Sequence, residues 1–471
     1  MTPAYALRSP YNLAMDLAVG RAAAPARDAA GPAVDDKVGK PDELRPGADA
    51  ATVKPDASPE TPGPDHLTDP DQGPLGTSTG VNISPGSDDD GWVVPPPVRL
   101  SDGTKIQLYK DGEALHAAYN AIKTAKRRVC LESYIFHDDN TGRAFAEMLA
   151  EKARQGLDVY VIYDSFGSMH TNRNLFRMMA RSGVRVREFH PLRPWECKFS
   201  WRPFNRDHRK ILVVDDDRAG LGGLNVGAEY AGSWVIPSSA HENDFWRDNA
   251  VSIEGPSARH ALRAFGRTWN YIGRGGRIRS CELNVGLKPG EGDFGLLASV
   301  PSAHSEVRTF LCDLMGGAKK SIYITMAYFA PDDELIDEIC KAHQRGVRVR
   351  LMLPGRSDVH LLTLAARSFY ETLLACGVEV YERQAAVLHA KTMVVDGHTS
   401  ILGSANLDYR SIEYNLELSA VIRNETFGRQ MQDLFENDVI YSKKISLKEW
   451  RRRPTWDRFV QWAVSRARYL L

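Results

Sequence analysis

The chain has 471 residues, of which 43% are hydrophobic and 25% are charged, a composition typical of a globular protein with two or three domains. No window reaches the roughly 20 apolar residues that a membrane-spanning helix needs, and no clear signal peptide begins the chain. The formal net charge is zero, but residues 35–90 carry −9, residues 443–471 carry +7, and the body from 91 to 442 carries only +1. A protein that binds nucleic acid through its body would be strongly basic there, so this distribution argues against that class.

Six cysteines are scattered along the chain without a C-x-x-C pair. Most lie in apolar or helical contexts, so we expect reduced structural thiols and neither a disulfide framework nor a zinc site. The cysteines are Cys130, Cys197, Cys281, Cys312, Cys340 and Cys376.

The first 97 residues hold sixteen of the 26 prolines, together with acidic runs such as Asp88-Asp89-Asp90. So few apolar residues do not offset the entropy lost on ordering. We therefore predict a disordered arm over residues 1–97, whose function the sequence leaves open.

Strands and helices alternate from residue 98 onward. Residues 129–136 are predicted to form a buried strand, residues 142–156 an amphipathic helix and residues 157–165 the next strand. This order predicts an α/β protein with a mostly parallel sheet covered by helices.

The same order returns later in the chain, which indicates an internal duplication. Residues 125–164 and 318–355 both begin with Ala-Lys and a basic residue, continue as a strand and a helix, and reach a second strand after a glycine. We predict one half over residues 98–290 and a second half over residues 291–442.

Each half carries one copy of a polar motif. The copies read HRKILVVDDDRAGLGGLN at residues 208–225 and HAKTMVVDGHTSILGSAN at residues 389–406. At the start of a strand, the alternation of side chains places the His and the Lys on the same side. The two halves together supply two imidazoles, two ammonium groups and two amides, from His208, Lys210, Asn225, His389, Lys391 and Asn406.

This set of groups suits a phosphodiester. The lysines and amides would neutralise the non-bridging oxygens, one histidine would attack phosphorus, and the other would move protons to and from the leaving and entering oxygens. A nucleophilic imidazole also needs a carboxylate or a carbonyl behind its other nitrogen to fix the tautomer, and Asp248 and Glu417 are the candidates. We expect no metal and no cofactor, because lysines beside a cation site would repel the cation.

The paired motif resembles that of the phospholipase D superfamily. Residues 206–215, 222–230, 246–248, 403–411 and 415–417 resemble in detail its cardiolipin synthase branch, in the shorter type without N-terminal membrane helices. The resemblance covers roughly residues 98–442. It implies two pseudo-symmetric α-β-α sandwich halves that share one active site.

The resemblance also implies roles for particular residues. His208 would be the nucleophile and His389 the general acid and base, while Asp215 and Asp396 would be structural. The glycine turns differ at one position, Gly223 in the first half and Ser404 in the second, so a hydroxyl contact to phosphate would come from the second half only.

The C-terminal tail, residues 443–471, is predicted to form a basic amphipathic helix. It would bind an anionic membrane surface or pack back onto the protein, and a lipid substrate favours the membrane. The predicted apolar face comprises Trp456, Phe459, Val460, Ala463, Ala467 and Leu470.

The resemblance implies a phosphatidyltransferase that makes cardiolipin from phosphatidylglycerol through a phosphatidyl-histidine. The enzyme would be peripheral on the cytoplasmic face of the inner membrane, with no nucleic-acid partner; its oligomeric state is left open. A phospholipid hydrolase has the same motif and remains an alternative. A nucleic-acid phosphodiesterase and a non-enzymatic lipid-binding scaffold are weaker alternatives.

Overall fold

A computed structural model describes residues 92–196, 204–232, 245–275, 292–301 and 306–466. The predicted disordered arm lies outside the described residues as far as residue 91, and so does most of the predicted boundary between the halves.

Eight strands of the first half form one mixed sheet in the order β1-β2-β9-β7-β6-β3-β4-β5. The neighbours β3, β4 and β5 run parallel, and the other five pairs are antiparallel. The short strand β8 lies outside this sheet. The strands are β1 (Val98–Arg99), β2 (Lys105–Lys110), β3 (Arg128–Ser133), β4 (Asp158–Asp164), β5 (Arg185–Phe189), β6 (Ile211–Val214), β7 (Arg218–Gly222), β8 (Trp246–Arg247) and β9 (Asn249–Glu254).

The second half repeats this sheet in the order β10-β19-β17-β16-β11-β13-β14-β20. Again two pairs are parallel and five are antiparallel. The strands are β10 (Phe294–Ser299), β11 (Ser321–Met326), β12 (Phe329–Ala330), β13 (Arg348–Pro354), β14 (Glu379–Arg383), β15 (Val387–Leu388), β16 (Lys391–Val395), β17 (Thr399–Gly403), β18 (Leu407–Asp408), β19 (Glu417–Arg423) and β20 (Ser442–Lys444).

The expectation of a mostly parallel sheet is therefore wrong. The strand that follows each His-x-Lys turns back at once, so that β6 with β7 and β16 with β17 form hairpins. Asp215, Asp216 and Asp396 have positive φ angles in these turns, a conformation that Asp tolerates better than most residues. Hairpins make antiparallel pairs, and within each eight-stranded sheet only the strands joined through helices are parallel.

Helices cover the sheets in layers. One core cluster joins α1, α2 and α3 to the outer face of the first sheet, and another joins α5, α6 and α8 to that of the second. A central cluster contains residues of both sheets together with α4 and α10, which confirms the two α-β-α halves. The helices are α1 (Gly112–Lys123), α2 (Asn140–Arg154), α3 (Arg173–Arg181), α4 (Ala258–Gly273), α5 (Glu306–Gly317), α6 (Asp333–Gln344), α7 (His360–Ser368), α8 (Tyr370–Ala375), α9 (Tyr409–Glu413), α10 (Glu425–Ile440), α11 (Leu447–Arg451) and α12 (Thr455–Arg466).

The cysteines correct a second expectation. Cys340 in α6 and Cys376 after α8 form a disulfide across 36 residues of sequence, so the prediction that the thiols are reduced is wrong for this pair. The fold brings two distant helices together, and sequence spacing alone does not reveal such a contact. Cys130 and Cys312 are free thiols, and Cys197 and Cys281 lie outside the described residues.

Candidate active site

The two His-x-Lys segments lie at corresponding edges of the two sheets, beside the carboxyl ends of their parallel strands. Lys210 directly precedes β6, which runs antiparallel to β3, and Lys391 begins β16, which runs antiparallel to β11. Lys210 Nζ donates to the carbonyl oxygen of His208 at 2.6 Å, and Lys391 makes the equivalent bond to His389. Alternation along each strand thus places ammonium and imidazole together, as the spacing predicts.

Backbone hydrogen bonds join the halves at the site. The amide of His208 donates to the carbonyl of Leu416 at 2.9 Å, and the amide of His389 donates to the carbonyl of Arg247 at 2.8 Å. Strand β15, directly before His389, pairs in parallel with β8 of the first half. Each motif histidine is therefore held by the half that does not contain it.

The carboxylates cross between the halves in the same way. The Nδ1 group of His208 donates to Glu417 Oε2 at 3.0 Å, and that of His389 donates to Asp248 Oδ2 at 2.6 Å. Both predicted carboxylates therefore lie behind imidazoles, and each serves the histidine of the opposite half. Both are fully buried, so each bond fixes an imidazole with its Nε2 free of that contact.

The two glycine turns accommodate the carboxylates differently. A side chain at Gly223 would collide with the Asp248 carboxylate, whose Oδ1 lies 2.2 Å from the Cβ position. The Ser404 hydroxyl accepts from the Leu418 amide at 3.0 Å and hydrogen-bonds with Glu417. The structure thus places both positions against the carboxylates, and the predicted contact of Ser404 with phosphate stays a prediction.

The two asparagines follow the glycine turns and are held by the backbone. Asn225 Oδ1 accepts from the Ile135 amide at 3.1 Å, and Asn406 Oδ1 accepts from the Tyr328 amide at 3.3 Å. Because the oxygen of each amide is engaged in this way, its NH₂ end is the one directed elsewhere. In Asn225 that end donates to the Tyr230 hydroxyl at 2.8 Å.

Burial gives the site unusual electrostatics. It lowers the pKa of His208 to about 4 and that of His389 well below the usual range, with Lys391 and Lys210 adding to the effect on His389. It also lowers the pKa of Lys210 to about 7 and that of Lys391 to about 8. For both lysines the lowering effect of burial outweighs the raising effect of the Glu417 and Asp248 carboxylates.

The two carboxylates differ from each other. Burial raises the pKa of Asp248 to about 6. Burial acts on Glu417 in the same direction, but the opposing effects of His208 and Lys210 leave its pKa below the usual value. Glu417 is therefore ionised over a wider pH range than Asp248, and the Asp248–His389 pair holds a proton more readily than the Glu417–His208 pair.

The motif aspartates lie away from this chemistry. Asp215 accepts from the backbone amides of Lys126, Arg127 and Arg128 at 2.7–3.2 Å. Asp396 accepts from the corresponding amides before and at the start of β11. Each ties a hairpin turn to the beginning of the first of the three parallel strands, β3 in the first half and β11 in the second.

The sequence reasoning missed several aromatic residues at the site. Tyr134 contacts the His208 ring edge-on at 4.8 Å and lies 5.3 Å from Lys210 Nζ. Trp246 and Tyr230 lie 5.2 and 5.4 Å from the His389 ring. For Trp246, its position two residues before the predicted carboxylate Asp248 could have indicated that it lies at the site.

These features define a class of protein: a two-half enzyme of the phospholipase D superfamily with one composite His/Lys/Asn site. The fold is similar to the crystal structure of phosphatidylserine synthase from Haemophilus influenzae Rd KW20, with a TM-score of 0.62, 15% identity, and coverage of 80% of this chain and 97% of the other.

Sequence comparison identifies the family within that class. The profile of the cardiolipin synthase phospholipase D-like domain matches residues 119–269 and 311–439. The probable cardiolipin synthase YwiE of Bacillus subtilis is 31% identical over 363 residues, which cover 77% of this chain and 71% of the relative. A cardiolipin synthase of Listeria monocytogenes is 30% identical over 371 residues, or 78% and 75% of the two chains. The chain therefore belongs to the cardiolipin synthase family and is an enzyme of the phosphatidyltransferase type.

Proposed function

We propose that this enzyme makes cardiolipin from two phosphatidylglycerol molecules through a phosphatidyl-histidine at His208. The pairing of His208 with an ionised Glu417 carries the proposal, because it fixes the Nδ1 proton and leaves Nε2 as the nucleophile. The second histidine and two lysines beside it supply the remaining groups that a double displacement needs.

The proposed reaction proceeds in two displacements. His208 Nε2 forms a bond to phosphorus while the bond to the glycerol oxygen breaks, and His389 gives that oxygen a proton. His389 then accepts a proton from a hydroxyl of the second phosphatidylglycerol, whose oxygen attacks phosphorus and releases His208. Lys210 and Lys391 offset the charge that develops on the phosphoryl oxygens.

A substrate whose leaving group needs no proton separates the two histidines. With phosphatidyl-p-nitrophenol, His389→Ala is expected to release a burst of about one nitrophenolate per site and then stop, whereas His208→Ala releases none. Mass spectrometry of the quenched His389→Ala protein should place the phosphatidyl adduct on His208. A burst only in His208→Ala would exchange the roles, and no burst in either variant would contradict a covalent intermediate.

A cavity lined by Trp246, whose ring lies 5.2 Å from that of His389, offers polar side chains to an alcohol acceptor. It has a volume of about 440 Å³ and is lined by Trp246, Arg356, Asp358 and His360, among others. Asp358 accepts from the Tyr328 hydroxyl at 2.7 Å. Guanidinium, carboxylate and imidazole groups suit a polyol headgroup. Mass spectrometry of products from phosphatidylglycerol distinguishes cardiolipin from the phosphatidic acid that a hydrolase would release.

Membrane attachment is the second part of the proposal. Among the described helices, none combines the length and the apolar character needed to span a bilayer. Large apolar side chains are nevertheless exposed in segments that follow the carboxyl ends of parallel strands, at the edge where the site lies. They are Phe166, Met169, Trp195, Phe204, Val359 and Leu361.

Helix α12 extends this apolar edge. It packs against α7 and yet exposes Trp456, Phe459 and Trp462, whose adjacent rings lie 5.7 and 6.0 Å apart. The predicted apolar face omitted Trp462 and included Val460, which is half-buried, while Ala467 and Leu470 lie outside the described residues. Aromatic side chains of this kind insert at the headgroup level of a bilayer.

Flotation with vesicles tests this attachment. Deletion of residues 446–471 and the triple change of Trp456, Phe459 and Trp462 to Ser should each weaken binding to phosphatidylglycerol vesicles at least fivefold. Unchanged flotation of both variants would contradict the proposed attachment. The membrane face is a separate question, because the Cys340–Cys376 disulfide is more typical of an oxidising compartment than of the predicted cytoplasmic face. Protease access in intact and opened cells decides it.

A further inference from the structure

An apolar cavity of about 230 Å³ lies between α1 and the first sheet. Alanines of the helix, including Ala114 and Ala118, face Gly220 and Ser252 of the sheet across this space. The catalytic Lys210 lines the cavity as well. The site at which phosphate is proposed to bind and this cavity are therefore adjoining spaces.

The second half shows what the duplicated fold places at the same positions. Gly220 pairs with Leu212 and Ser252 in the first sheet, and Ile401 pairs with Met393 and Val421 in the second. Gly220 therefore corresponds to Ile401, and Ser252 corresponds to Val421. Large buried side chains thus occupy in the second sheet the positions that are nearly bare in the first.

The covering helices differ in the same direction. The amide of Ala125 donates to the carbonyl of Ile122 after α1, and the amide of Ala318 donates to that of Met315 after α5, which aligns the two helices. Ala118 then corresponds to Leu311, a buried member of the second core. Both walls of the cavity have small residues where their counterparts have large ones, so the space is specific to the first half.

We propose that this cavity holds one acyl chain of the phosphatidyl group that His208 carries. The inference rests on the proposed function. The apolar lining favours a hydrocarbon, and Lys210 at its border places the cavity next to the phosphate. Because the corresponding positions of the second half are filled, the cavity gives the shared site one acyl subsite on the side of His208. It would hold the donor while the acceptor enters beside His389.

Filling the cavity with the side chains of the second half tests the proposal. Gly220→Ile adds a side chain from the sheet, where a Cβ would meet only Leu212 at an ordinary 3.8 Å, and Ala118→Leu adds one from the helix. Gly266→Ile in α4 is the matched control, because a Cβ there meets nothing within 4 Å and the position does not line the cavity. Activity is measured as kcat/KM for dioleoyl- and dihexanoyl-phosphatidylglycerol, at one mole fraction in mixed micelles, with cardiolipin and phosphatidic acid both counted as products.

The expected result is a fall of at least tenfold in the ratio of long-chain to short-chain kcat/KM for both cavity variants, with the ratio of Gly266→Ile within twofold of wild type. Melting temperatures at or above that of the wild type would show that the added side chains fill empty space. If one cavity variant fails to fold, the other cavity variant still tests the proposal. The wild type tests it as well, because its kcat/KM should rise with acyl length. An unchanged ratio in a folded variant, or a wild type indifferent to length, overturns the acyl site. A wild type without any turnover of phosphatidylglycerol would instead overturn the proposed function.

Discussion

The exchange of carboxylates between halves makes a sharp prediction for Glu417→Gln. The change keeps the size of the side chain and removes the charge 3.0 Å from His208 Nδ1. An amide also competes for the tautomer, because its NH₂ end would force the His208 proton onto Nε2 and block the nucleophile.

The magnitude follows from the charge that develops on the imidazole. Charges about 4 Å apart at an effective dielectric constant of 20 attract by about 4 kcal/mol, which corresponds to a factor of about a thousand in rate. We expect kcat/KM for cardiolipin formation to fall by about 10³, with most of the loss in kcat. The burst of nitrophenolate from phosphatidyl-p-nitrophenol should slow by a similar factor.

A matched control separates this effect from a loss of stability. Glu382 is also buried and accepts from Arg367 Nε at 2.9 Å and from the Tyr370 hydroxyl at 3.0 Å, in the second half's own structure. Glu382→Gln should lower the melting temperature while the folded fraction retains its specific activity. If Glu417→Gln stays within tenfold of wild type, the carboxylate does not activate His208 and the reasoning is refuted.

Three further predictions concern the motif residues. The rate of the nitrophenolate burst, a step that needs no proton from His389, should be level between about pH 5 and 6. It should fall at lower pH as His208, with its pKa of about 4, gains a proton, and at higher pH as Lys210 and Lys391, with pKa values of about 7 and 8, lose theirs; a burst rate that rises above pH 8 would contradict this. Lys210→Met should lower kcat/KM at least a thousandfold. It should also raise the free energy of unfolding by about 1–3 kcal/mol at pH 6, measured by urea denaturation, because it removes one of two buried cations. A destabilised variant would contradict this prediction. Asp215→Ala should lower the free energy of unfolding by about 2–3 kcal/mol through the loss of its backbone hydrogen bonds. Its kcat/KM should stay within threefold of wild type. A large loss of kcat/KM with unchanged stability would instead indicate a catalytic role for Asp215.

The crossed contacts also explain why neither half is expected to act alone. His208 takes both its backbone partner and its carboxylate from the second half, and His389 takes both from the first. Arg247 adds a buried ion pair with Asp438 at 2.8 Å, which crosses the same interface. A separated half would present a histidine without the group that sets its tautomer.

Much of this protein was determined by the sequence itself. Two copies of His-x-Lys with a following glycine turn and Asn predicted the duplicated fold, the site residues and the family, because strand alternation is a local property. The resemblance implied a structural role for Asp215 and Asp396, and both accept hydrogen bonds from backbone amides. Strand alternation suffices for His and Lys because both belong to one short segment, whereas the amides that bind the two aspartates lie 75–89 positions earlier in the chain.

Only the tertiary structure decided which groups meet across the molecule. Glu417 and Asp248 were named from the sequence, but their exchange between the halves depends on how the two sheets pack against each other at the central core cluster. The Cys340–Cys376 bond, the antiparallel majority of each sheet and the cavity under α1 depend in the same way on contacts between distant segments. The missing side chain at Gly220 is informative only in comparison with Ile401, the residue at the corresponding position of the other half. Whether a missing side chain leaves a cavity depends on how the whole fold packs.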